Sequence, residues 1–188
     1  MPLGPGHAER VGWSPDGERF THCHARADGC YECRTVTRGG SAESLESGPG
    51  CAEGIAREQL DARLDALAPG PGAARWPWGD QIVLVVETRE HEQDNAGRPR
   101  PMLKLGARLR EGGIPSWTLH VDPCEGCGTD QVCAGQAHLD ALSLSPRGDE
   151  VVALIHGQGN DGAQRLRLER IPTQRLADAA RTPASRAP

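Results

Sequence analysis

Three stretches of the chain repeat one pattern of apolar and polar positions. Val11–Thr37, Ala74–Glu90 and Leu139–Pro172 each open on an apolar or Trp-containing strand, break at a Pro/Gly turn and resume as a second strand. In the third stretch Arg165–Ile171 alternates charged and apolar residues, the period of a half-buried strand. Ser14-Pro15-Asp16-Gly17 suits a type I turn, with proline fixing φ at the second position. From Glu53 to Leu67 the period lengthens. Ile55, Leu60, Leu64 and Leu67 then share one face, which predicts a short amphipathic helix ended by Pro69-Gly70-Pro71-Gly72. Gln93–Pro101 reads as a polar loop, and Met102–Arg110 and Pro115–Asp122 as strands around Glu111-Gly112-Gly113. Thr173 is expected to cap a last short helix through Arg181, ahead of a frayed tail.

The turns Ser14-Pro15-Asp16-Gly17 and Ser145-Pro146-Arg147-Gly148 resemble the SPDG turn of WD-like repeats in TolB-type β-propellers, with Trp76-Pro77-Trp78-Gly79-Asp80 as a degenerate middle copy. The resemblance rests on this short motif and covers about half the chain. It implies blade-like antiparallel sheets. The copies start at Val11, Ala74 and Leu139, further apart than the about 40 to 45 residues of a regular blade. The expected fold is therefore mainly β, with antiparallel sheets in a partial or divergent propeller-like arrangement and one or two short helices. Residues 1–172 form a single β-rich domain on this reading, with a helical insertion at about 53–68; residues 173–188 are a short helix and tail.

Composition limits the core. Only 37% of the 188 residues are hydrophobic, with one Phe and one Tyr against 24 Gly and 15 Pro, which suits short elements joined by turns. The net charge is −5 with acidic and basic residues interleaved, and the positive charge, nearly all of it arginine, is spread along the chain, so no basic stripe marks a nucleic-acid surface. Apolar runs such as Ile82–Val86 are far too short to span a bilayer. The start MPLGPGHAERVGWSPDGERF lacks the charged and apolar regions of a leader. Two localisations stay open: a cytoplasmic protein, or an extracytoplasmic one whose leader is missing from this chain. Seven cysteines favour the second.

Catalytic templates are thin. Gly157, Gly159 and Gly162 spell G-x-G-x-x-G after a strand, but AQRLRLERIP follows with period two, where a nucleotide site needs a helix. The glycines therefore belong to a hairpin loop. His91-Glu92 lacks the second histidine of H-E-x-x-H. The acidic group Glu87, Glu90, His91, Glu92 and Asp94 reads as a solvated loop. Neither Cys30-x-x-Cys33 nor Cys124-x-x-Cys127 opens a helix that would depress a thiol pKa for redox work. No catalytic residue is assigned.

The cysteines carry the remaining chemistry, and all seven are disulfide candidates: Cys23, Cys30, Cys33, Cys51, Cys124, Cys127 and Cys133. In the first group, hairpin register decides. With a three-residue loop, Ala27–Gly29, Gly29 takes the left-handed bulge position, Cys23 faces Cys33, and Cys30 is left for Cys51. Cross-strand Cβ atoms about 4.5 to 5.5 Å apart then lie near bridging distance. With a two-residue loop Cys33 faces His24 instead, which favours a metal. In the second group, Cys124-Glu125-Gly126-Cys127-Gly128 resembles half of a zinc knuckle. Cys133 and His138 complete a four-ligand set with Cys124 and Cys127, although the histidine of a zinc knuckle normally precedes its last cysteine. Cys30/Cys33 with Cys124/Cys127 is a further four-cysteine option. Against zinc stands the gain of a core-poor chain from covalent staples, roughly 2 to 4 kcal/mol each.

These readings converge on a non-enzymatic, disulfide-stapled, extracytoplasmic β-rich domain without a cofactor. It would bind a protein partner or self-associate through exposed strand edges. The alternative is a cytoplasmic zinc-stabilised interaction module. An enzyme with an unrecognised site is the third reading.

Overall fold

The computed structural model describes residues 11–25, 29–51, 54–56, 58–60, 62, 75–93, 99–121, 137–158 and 164–182. The protein is mainly β. Among the described residues the strands form three sheets, each a meander of strands consecutive in sequence. The first holds β1 (Val11–Trp13), β2 (Arg19–Ala25), β3 (Tyr31–Thr37) and β4 (Ala42–Ser47). The second holds β5 (Ile82–Gln93), β6 (Pro99–Leu109) and β7 (Ser116–Val121); the third holds β8 (Ala137–Leu144), β9 (Glu150–Gln158) and β10 (Gln164–Pro172). A helix, Thr173–Arg181, follows β10 directly. Among the described residues no helix is long and apolar enough to cross a membrane.

Backbone contacts group the chain into two compact units, Met1–Ala74 with Leu144–Gly148, and Arg75–Ser143 with Asp149–Pro188. In the first unit, the side-chain alternation of strands gives the sheet two faces. One carries Cys23, Tyr31, Cys33 and Leu45, and Leu60 packs onto it with Ile55. Residues 58–60 and 62 are helical, so the part of the expected helix that is described places Leu60, fully buried, against the sheet. The rest of that prediction, Leu64 and Leu67 included, lies outside the described residues. The opposite face carries Trp13, Phe20, His22, His24, Glu32 and Arg34, with Trp13 and Phe20 meeting edge to face at 5.3 Å.

The second unit has its own core. Leu103, Leu105 and Ala107 alternate along β6, and Val151, Ala153 and Ile155 along β9; all are buried with Ile82, Val121 and Ile171. Thr173, Leu176 and Ala177, spaced to share one face of the helix, are its buried residues. Thr173 does not cap this helix. Pro172 stands at the cap, and the Thr173 N–H, now inside the first turn, donates to Asp149 O at 2.9 Å. β10 runs straight into the helix, and no side-chain cap bond is made at its start.

The three Pro/Gly turns share one backbone form. Gly17, Gly79 and Gly148 donate their N–H to the carbonyls of Ser14, Trp76 and Ser145, at 2.8, 3.0 and 2.9 Å. All three glycines lie at positive φ: 71°, 56° and 72°. Trp76-Pro77-Trp78-Gly79 thus keeps the turn although its other residues differ. In the first copy Ser14 Oγ donates to Asp16 Oδ1 at 2.6 Å and accepts from Arg19 N at 2.9 Å, which ties the turn to the start of β2.

A second expectation fails as well. Gln93 and Pro99–Pro101 are strand, not loop: Glu92 pairs with Arg100 and Gln93 with Pro99 beyond a bulge between Arg89 and Glu92. Glu87, Glu90, His91 and Glu92 likewise lie on β5. Polarity marked this segment as a loop, but the antiparallel ladder is made by backbone groups and continues past the last apolar position. Gly157 lies on β9 opposite Arg165 of β10, consistent with the hairpin reading of the glycine motif. Gly159 and Gly162 lie outside the described residues.

Candidate functional site

Hairpin register settles the first group of cysteines. Ala25 pairs with Tyr31, Gly29 has φ +86°, and Cys23 lies opposite Cys33. Cys23 is bonded to Cys33 and Cys30 to Cys51, across 10 and 21 residues of sequence. The register that set Cys33 against His24 is not adopted; His24 faces Glu32. Cys23, Cys30 and Cys33 are buried, so both bridges sit at the sheet rather than on its surface. With these sulfurs committed, Cys30 and Cys33 cannot join Cys124 and Cys127 in a four-cysteine zinc site. Cys124, Cys127 and Cys133 themselves lie outside the described residues.

The opposite face of this sheet carries an ion pair whose carboxylate, that of Glu32, is buried while Arg34 reaches solvent. Arg34 Nε donates to Glu32 Oε1, Ser44 Oγ donates to the same oxygen at 3.2 Å, and His24 Nε2 stands 4.0 Å from Glu32 Oε2. Burial pushes the Glu32 carboxyl up. The bond and charge of Arg34, with His24 and Ser44, outweigh it and leave the group below its ordinary 4.5. Glu32 is thus held ionised inside the sheet, a structural pairing.

A third cluster lies in the second unit. His138 and Asp140 are two residues apart on β8 and share a face; His156 comes from β9, its neighbour in the sheet. Asp140 faces both imidazoles. Its Oδ1 is 3.0 Å from His138 Nε2, and its Oδ2 contacts His156 Nδ1. The two rings are 5.9 Å apart. One ligand atom from each of the three residues falls within 4.8 Å of the others. His138, expected in a set with Cys124, Cys127 and Cys133, which lie outside the described residues, stands with Asp140 and His156. The signal present in the sequence was His138-x-Asp140 at strand period; the contribution of His156 depends on strand pairing.

Comparison of the chain with protein-family models, with curated proteins and with solved structures finds no match.

Proposed function

We propose that the protein is a non-enzymatic, extracytoplasmic β-rich domain that binds a protein partner or serves as a scaffold. The observation that carries this reading is the pair of disulfides, Cys23–Cys33 and Cys30–Cys51, built into one four-stranded sheet. Such bonds persist in oxidising compartments and are rare in the reducing cytosol. They favour an extracytoplasmic setting. The sheets, as consecutive meanders, are compatible with divergent propeller blades, and that likeness belongs to the same proposal. Each sheet ends in outer strands, and strand edges are where a partner's strand or a second copy of the chain can add.

Intact mass of freshly purified, unreduced, denatured protein tests the reading. The expected mass lies below the fully reduced value by the hydrogens lost in at least two bridges, with peptide mapping joining Cys23 to Cys33 and Cys30 to Cys51. Seven free thiols, with zinc released on denaturation, would overturn it in favour of the cytoplasmic zinc-stabilised module.

A further inference from the structure

We propose that His138, Asp140 and His156 form a binding site for a divalent metal ion of the zinc class. Strand geometry brings the donors together. Alternation along β8 sets His138 and Asp140 on one face, and β9 lies beside it with His156. The backbone beneath the site is well anchored, because Ile155, next to His156, is 1% exposed and Val151–Leu154 are buried with it. Donors held by packed strands are placed more reproducibly than donors on loops.

The donor set selects the ion. Two imidazole nitrogens and one carboxylate suit zinc, copper(II) or nickel(II); calcium and magnesium want oxygen shells. In a tetrahedral zinc site, with bonds of about 2.0 to 2.1 Å, donor atoms stand about 3.3 Å apart. His138 Nε2 and Asp140 Oδ1 are 3.0 Å apart, and all three donors fall within 4.8 Å, so small side-chain rotations accommodate the ion. Each oxygen of Asp140 already faces a different imidazole. The carboxylate orients both rings and supplies a negative charge to the ion that replaces the shared protons. The His138 side chain is 68% exposed, which leaves a solvent side where water completes the coordination. The site uses no cysteine and stands or falls independently of the disulfide reading.

The test is a titration of the full, disulfide-bonded chain with zinc, followed by calorimetry, after alkylation of any remaining thiols. Cobalt(II) absorption reports ligand type. We expect one ion per chain, cobalt d–d bands without thiolate charge transfer, and at least roughly tenfold weaker binding in His156→Ala and in Asp140→Asn. Asp140→Asn keeps size and hydrogen-bonding capacity, and His120→Ala, on β7, serves as a control with unchanged binding. A readout without substitution comes from the wild-type protein: nickel(II) should broaden the ring signals of His138 and His156 before those of His120. No binding by the alkylated protein overturns the site. So does binding that both variants retain, or broadening that spares these two rings.

Discussion

Cys23 on β2 and Cys33 on β3 face each other directly across the strand pair, with their Cα atoms 4.0 Å apart and their sulfurs joined. The bond locks the register of a hairpin whose turn alone would allow a neighbouring alignment. Since a one-residue slip would send every side chain of the strand to the other face, the bridge also holds the division between the two faces of the sheet.

Loop closure sets the expected cost of losing each bridge. In the chain-entropy description, loops of this length contribute about 3 kcal/mol, slightly more for Cys30–Cys51 because it closes the longer segment. The double variant Cys23→Ala/Cys33→Ala should therefore lower the unfolding free energy by about 3 kcal/mol. Guanidinium unfolding of the two proteins, compared at equal slope, measures the difference. An unchanged midpoint would remove the bridge from the account of stability.

Gly106 marks a place where the backbones of β6 and β7 come too close for a side chain. A Cβ there would meet Ser116 O at 2.4 Å and Trp117 Cε3 at 2.9 Å, beside the register shift between Leu105 and Gly106. The obstacle is mainly backbone, which cannot swing aside. Gly106→Ala is expected to destabilise by about 1 to 3 kcal/mol, read as a lowered melting temperature.

The shared turn makes a cleaner backbone test. A Cβ at Gly148 meets nothing within 4 Å, yet its φ of +72° lies in the left-handed region. Gly148→Ala should cost about 1 to 2 kcal/mol from conformation alone. Gly39 has no positive φ, and its nearest neighbour would be Thr37 Oγ1 at 3.9 Å. Gly39→Ala should stay within about 0.5 kcal/mol of the parent, with both variants compared by urea unfolding.

Glu32 ties stability to acid. Its carboxyl titrates below 4.5 in the folded protein and near that value when unfolded, so the unfolded chain takes up the proton first. The stabilisation is fully present above about pH 4.5 and is lost as pH falls through the lower folded value. Urea midpoints should decline below that pH, and the decline should be shallower in Glu32→Gln. Equal slopes in both proteins would show that other groups carry the acid response.

Much of the strand content was legible locally. Alternation placed Arg165–Ile171 on β10, and the X-Pro-x-Gly pattern marked turns that the structure repeats even at Trp76, where the flanking residues differ. The ends of β5 and β6 were not legible, because a polar ribbon held by its own backbone bonds looks like a loop. The cap of the last helix was misread for a related reason: the acceptor that serves Thr173 is the main chain of Asp149, which no residue type announces.

The two chemical sites divide along the same line. The residue types alone offered two hairpin registers, and only the pairing of Ala25 with Tyr31 chose the one that bonds Cys23 to Cys33. Likewise His138 and Asp140 share a face by strand period, which the sequence determines by itself. Their meeting with His156 needed β8 and β9 to pair in one particular way. Periodicity and turn chemistry are local, written within a few residues. Which side chains become neighbours across strands depends on register, and a shift of a single residue, invisible to any local pattern, exchanges one set of neighbours for another.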